Sequence, residues 1–319
     1  MANTNLSHVK EFILLGFSDL PNLQSILFGI FLCIYINILI GNGLIIVITK
    51  SNATLQTPMY FFLSNFAFLE ICYTSVTLPR MLSDLWTQNT IISFLDCAVQ
   101  LCFFLILVIS ESLLLVVMAY DRYVAICKPL YYTIIMNHKV CVQLVVASWI
   151  TAVPILIGQT YQIFSLPFCG PTRLNHIFCD IYPILQVACG DTSMSEILIY
   201  LDVGLFGIVP FLLICGSYIK IIVAILKLPS AIGKSKAFST CSSHLMVVGL
   251  FFGSGIIVYL QPKSSHSAGS DKILSLFYTT LTPLCNPMIY SLRNKDFIIN
   301  EFRNPELIDI CLKELIIFT

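Results

Sequence analysis

The chain has 319 residues, 57% of them hydrophobic and only 11% charged, where a soluble domain carries about 25% charged residues. A mean hydropathy of +0.89 points the same way. Lys plus Arg and Asp plus Glu balance at 17 each, so no basic field exists to hold nucleic acid, and the wealth of Phe, Tyr, Leu and Ile excludes a disordered or fibrous chain. This is the composition of a polytopic membrane protein.

A bilayer core takes about 20 apolar residues of helix. Seven runs qualify: 24–49, 58–82, 97–120, 140–163, 196–226, 237–260 and 272–292. The predicted fold is all-α, a seven-transmembrane helix bundle over 24–292. It follows an extracellular segment, 1–23, and precedes a cytoplasmic tail, 293–319. The fifth run is about 46 Å long at 1.5 Å per residue, so its end projects beyond the hydrocarbon before Pro229 stops it.

Orientation follows from the basic residues. With the N-terminus outside, twelve of them, including Lys50, Arg122, Lys128, Lys139, Lys220, Lys234 and Arg293, fall inside. Five fall outside: Lys10, Arg80, Arg173, Lys263 and Lys272. That asymmetry obeys the positive-inside bias. Asn5-Leu6-Ser7 is then an extracellular glycosylation acceptor, whereas Asn52-Ala53-Thr54 falls inside and stays bare.

Of the thirteen cysteines, four lie outside: Cys97, Cys169, Cys179 and Cys189. Their compartment favours disulfides, and three pairings are open. A metal reading of His176-x-x-Cys179 lacks a second ligand pair of matching spacing.

Ionisable residues within a membrane are functional candidates because their burial is unfavourable. Three qualify: Glu70, Glu111 and Asp202. The plainer reading makes each a protonated or water-bridged structural acid. Enzyme chemistry finds no support: there is no His-Glu-x-x-His pair, no Gly-x-Ser-x-Gly elbow and no phosphate-cradling loop. A rival reading is an intramembrane transporter or channel with Glu70 and Glu111 as its ion path. Seven runs with no internal repeat suit it poorly.

The third run ends in Met118-Ala119-Tyr120-Asp121-Arg122-Tyr123-Val124-Ala125-Ile126-Cys127. An acid beside a guanidinium at a membrane boundary can pair, and a conformational change can break the pair. Around it stand Gly41-Asn42-Gly43, Pro58-Met59-Tyr60-Phe61-Phe62-Leu63-Ser64-Asn65, Ser217-Tyr218, Lys236-Ala237-Phe238-Ser239-Thr240-Cys241-Ser242-Ser243-His244 and Pro283-Leu284-Cys285-Asn286-Pro287-Met288-Ile289-Tyr290. In this order, from about residue 10 to 296, the chain resembles the olfactory (odorant) receptors of the rhodopsin-like G-protein-coupled class.

The resemblance implies a plasma-membrane receptor of olfactory cilia. Its ligand would be a small, mostly apolar volatile held by Phe104, Leu105, Val108, Ile109, Asp202, Phe206, Phe252, Tyr259 and Thr279. It also implies a stimulatory, olfactory-type G protein that raises cyclic AMP, together with arrestin and receptor-transport chaperones. The switch residues would be Asp121, Arg122, Tyr123, Tyr218, Asn286, Pro287 and Tyr290, with Asp121 holding Arg122 at rest. The implied disulfides are Cys97–Cys179 and Cys169–Cys189, and Glu70 with Glu111 would hold a structural sodium ion or share a proton. No other cofactor is implied.

Two departures from the wider class stand out: Lys234 occupies the place of an acid at the base of span six, and Gly253-Ser254-Gly255 replaces a proline. The tail also departs from the family. Residues 297–319 carry four acids and two bases, which argues against a basic amphipathic helix.

Overall fold

The computed structural model describes residues 9–169, 172–227, 229–259, 272 and 274–292, except the side chains at 54, 232, 236, 240, 258, 259 and 290–292. Asn5 and the tail from 293 lie outside the described residues.

Helices occupy all seven apolar runs. Spans one to four are Gln24–Ser51, Pro58–Thr87, Phe94–Cys127 and His138–Phe164. Span five joins Ser193–Asp202, a π-helical turn at Val203–Ile208, and Val209–Leu226. Span six is Ala231–Tyr259; in span seven a π turn at Phe277–Leu281 runs into Thr282–Leu292. The first six are long and apolar enough to cross a membrane.

Local chemistry sets several ends. Pro58 opens span two with its ring at the first turn, where a missing N–H is harmless. Ser93 accepts the Asp96 N–H at 3.0 Å and donates to the Asp96 carboxylate at 2.7 Å, closing the start of span three. Asn137 caps span four through the Val140 N–H at 3.1 Å. Gln88 ends span two in the left-handed region, with φ 56°.

Span three is the most enclosed helix and packs against spans two, four and five. Large apolar side chains such as Ile30, Phe68, Phe103, Leu212 and Ile219 stay exposed on the outside of the bundle. In water such a surface would aggregate; against acyl chains it is matched. The buried apolar residues form two clusters. One holds Phe12, Leu101, Phe104 and Phe178; the other holds Phe62, Phe66, Leu115, Tyr218 and Val248.

One end carries a feature that the apolar runs did not announce, a three-stranded sheet. β1 (Glu11–Leu14) lies between β2 (Ile91–Ser93), antiparallel with Phe12 opposite Ile92, and β3 (Arg173–Leu174), parallel with Leu14 opposite Leu174. Phe12, Leu14, Ile92 and Leu174 all turn inward and are buried. The two ends of the molecule are called here the sheet end and the Arg122 end.

Candidate functional site

A cavity of about 290 Å³, reached by Tyr73 of span two, opens between spans three to seven in the half nearer the sheet. Span three supplies Phe104, Leu105, Val108 and Ile109, which share one face at helical spacing. Span four adds Leu156 and Gln159; span five adds Ile199, Asp202, Val203 and Phe206. Spans six and seven add Phe251, Phe252, Gly255, Tyr278 and Thr282, and Ile181 of the long loop completes the wall. Mostly apolar walls with few polar groups suit a small organic ligand.

Both π turns adjoin this cavity. A π turn frees a carbonyl that an α-helix would have paired. In span five the Ser112 hydroxyl of span three takes up the Phe206 carbonyl at 2.6 Å, a bond that fixes the turn and with it the cavity wall.

Between the two apolar clusters lies a layer of buried polar groups. Glu70 is 0% exposed and Glu111 2%. Their carboxyls are close enough to interact, and Asn286 Nδ2 donates to Glu70 Oε1. Glu70 Oε2, Asn286 Oδ1 and the Ser110 hydroxyl have no hydrogen-bond partner among the described residues. Among the described residues no three His, Cys, Asp or Glu side chains gather to hold a metal. A cation here would rest on two carboxylates and neutral oxygens, a donor set that fits a hard monovalent ion.

At the Arg122 end, the buried Asp121 accepts a 2.8 Å hydrogen bond from the Tyr132 hydroxyl. Among the described residues no ion pair within 4 Å joins Asp121 to Arg122, but the guanidinium lies near enough to act on the carboxylate electrostatically. Neighbours on a helix point about 100° apart, and Tyr132 fills the place beside the carboxylate. Arg122 also lies near enough to Tyr218, Cys241 and His244 to act on them electrostatically. Tyr218 of span five meets His244 Nδ1 of span six at 2.9 Å, their rings stacked at 5.7 Å. Lys220 Nζ sits 5.7 Å from the Tyr123 ring.

With this geometry in view, comparison with known proteins is decisive. The family model described as olfactory receptor matches residues 31–302. The chain belongs to the olfactory receptor family. Human (Homo sapiens) olfactory receptor 10AG1 is 61% identical over 289 residues, covering 91% of this chain and 96% of that protein. Human olfactory receptor 10C1 is 50% identical over 294 residues, covering 92% and 94%. The crystal structure of squid rhodopsin, at 20% identity, superposes with a TM-score of 0.69 over 86% of this chain and 79% of that one, which shows the shared seven-helix fold. The protein is a multi-pass plasma-membrane receptor, odorant-sensing and G-protein-coupled in class.

Of the nine residues anticipated around the ligand, Phe104, Leu105, Val108, Ile109, Asp202, Phe206 and Phe252 line the receptor's cavity. Thr279 does not. It is buried and donates back to the Ser275 carbonyl at 2.6 Å, and the widened turn of span seven presents Tyr278 and Thr282 instead. The side chains of Tyr259 and Tyr290 lie outside the described residues. Asn286 faces Glu70, and Pro287 packs against span one, where a Cβ on Gly41 would stand 3.1 Å from the proline ring.

Disulfides join Cys97 to Cys179 and Cys169 to Cys189. The long loop is also tied to span seven. His176 Nε2 meets the Ser275 hydroxyl at 2.7 Å, and the Tyr278 hydroxyl donates to Asp180 at 3.1 Å. His176 is thus a buried structural partner rather than half of a metal pair, since Cys179 is spent in a disulfide.

Sequence reasoning missed Gln159, Tyr278, Tyr132 and His244. The last was signalled by its own motif, Ser242-Ser243-His244; a buried histidine one contact from Tyr218 needed the fold to be seen.

Proposed function

We propose that the receptor binds a small, mostly apolar volatile in the 290 Å³ cavity and activates a stimulatory, olfactory-type G protein, raising cyclic AMP. The sheet end faces outside and the Arg122 end the cytoplasm, the arrangement that puts most basic residues inside. In olfactory cilia arrestin and transport chaperones would be further partners, and Asn5 would carry glycan.

The observation that carries this reading is the cavity itself, bounded by segments of spans five and six whose far ends meet through Tyr218 and His244. A ligand that prefers one arrangement of these helices shifts the population toward it, and the far contact shifts with it. Release of Tyr218 from His244 frees both for a new arrangement around Arg122, to which a G protein binds. Glu70, Glu111 and Asn286 would hold sodium in the resting bundle, the ion placing a positive charge between the two carboxylates.

The test is a chemically varied odorant panel on cells expressing the receptor, read by cyclic AMP, beside an Arg122→Ala receptor at equal surface density. Odorant-dependent cyclic AMP is expected in the native receptor alone. Silence across the panel, or an undiminished response in Arg122→Ala, overturns the reading.

A further inference from the structure

The ligand's head group can be read from the cavity, given the odorant-receptor reading above. Its polar complement is one-sided. Glu111 and Asp202 bring two carboxyl groups to the lining, and among the described residues no Lys, Arg or His joins them. Glu111 is engaged with Glu70. Asp202 makes no hydrogen bond or ion pair among the described residues.

Span four packs against the helix that ends in Asp202, and from span four Gln159 reaches the same cavity. Gln159 is 5% exposed, and its Nε2 has no hydrogen-bond partner among the described residues. Buried polar groups are normally paired, so the unpartnered Gln159 amide marks a polar group that arrives with the ligand, and the half-buried Asp202 carboxyl on the same cavity is open to accept from it.

We infer that the receptor selects an uncharged ligand with a hydroxyl head, whose O–H donates to Asp202 and whose oxygen accepts from Gln159 Nε2. One hydroxyl carries a donor and two lone pairs on a single atom, so it satisfies both groups at once. An ether keeps the acceptor and lacks the donor. A protonated amine is drawn to the carboxyl groups but has no acceptor, so it leaves the buried Gln159 amide unpaired. A carboxylate has no donor and brings a like charge towards Asp202 and Glu111 in a medium of low dielectric. At neutral pH fewer than ~1% of the molecules of a simple carboxylic acid are uncharged, so little of it escapes that repulsion.

The experiment uses octyl, phenylethyl and geranyl frameworks, each as alcohol, methyl ether, primary amine and carboxylic acid. Native, Gln159→Leu, Asp202→Ala and Asp202→Asn receptors are compared by cyclic AMP, with surface density measured in parallel. On at least one framework the alcohol is expected to exceed the other three heads by about tenfold in potency, the worth of one good hydrogen bond. Asp202→Ala should erase the preference for alcohol over ether, and Asp202→Asn, which still accepts, should restore it. Gln159→Leu should erase the preference for alcohol over amine; if Asp202→Ala does not reach the surface, this variant decides.

An acid, ether or amine as potent as the alcohol on every responding framework overturns the inference, as does a preference unchanged by Gln159→Leu. If the frameworks are silent while the wider panel responds, the head-group inference alone fails. If both are silent, the odorant reading fails with it.

Discussion

The hydroxyl of Tyr132 donates a 2.8 Å hydrogen bond to Oδ1 of Asp121, tying the short helix after span three back onto that span. Burial and the neighbouring Asp121 hold the Tyr132 hydroxyl well above the usual tyrosine range, so it remains a donor at every physiological pH. Asp121 is thus held by this tyrosine's hydrogen bond as well as by the field of Arg122. Tyr132→Phe leaves the buried carboxyl without its donor, a loss of about 1–3 kcal/mol. Basal cyclic AMP per surface receptor should rise several-fold in Tyr132→Phe and in Asp121→Asn, and the double variant should add little. Basal signal at the native level in both would remove Tyr132 from the resting lock.

The Tyr218–His244 contact joins spans five and six at the Arg122 end, and both residues are buried. Tyr218→Phe and His244→Phe each remove the bond. A double-variant cycle on basal activity should show a coupling of about 1 kcal/mol, roughly fivefold. Strict additivity would mean that the two side chains act independently.

Cys97–Cys179 closes a loop of 82 residues in sequence separation and fastens the long loop to the head of span three. A disulfide of this kind contributes about 2–4 kcal/mol. Surface staining should be lost in Cys97→Ser and in Cys179→Ser, and to the same extent in the double variant. Normal expression and response in either single variant would contradict a structural role.

Gly41 allows spans one and seven to approach, with Pro287 3.1 Å from where a Cβ would sit. A proline ring inside a helix yields little. Gly41→Val should lower the thermal stability of the detergent-purified receptor, by about 1–3 kcal/mol for an overpacked contact, whereas Gly43→Val meets open space and should change it much less. Equal effects at both positions would argue for a general intolerance of the helix.

The paired acids give a prediction about ions. With sodium replaced by a bulky organic cation, agonist potency should increase in the native receptor, where the ion would bridge Glu70 and Glu111, and stay constant in Glu111→Gln, which keeps only one carboxylate of the pair. Equal sodium sensitivity in both receptors would leave only the shared proton.

The bundle was legible in the sequence because each span is a long apolar run, and the family resemblance because Asp121-Arg122-Tyr123 and Ser217-Tyr218 are contiguous blocks. The sheet was not: Glu11–Leu14 is four residues long, and its partners lie some eighty and one hundred and sixty positions away. Nor were the π turns, since one extra residue per turn leaves no trace in hydropathy. Their effect was concrete: it put Tyr278 and Thr282 on the cavity wall and withdrew Thr279 from it. Gln159 escaped for another reason. A glutamine in an apolar helix looks like any tolerated polar residue until its missing partner is seen.

The wide turn at Val203–Ile208 also separates two things that a regular helix binds together, the number of residues and the direction they face. In an α-helix an inserted residue rotates everything beyond it by about 100°. A π turn absorbs the insertion locally, so the stretch beyond it keeps its heading. The ligand-facing part of span five can therefore gain or lose a residue over evolutionary time while Tyr218 stays aimed at His244. Chemical tuning at one end is thus insulated from signalling at the other, which is what a family needs if it is to diversify its stimuli and keep a common output.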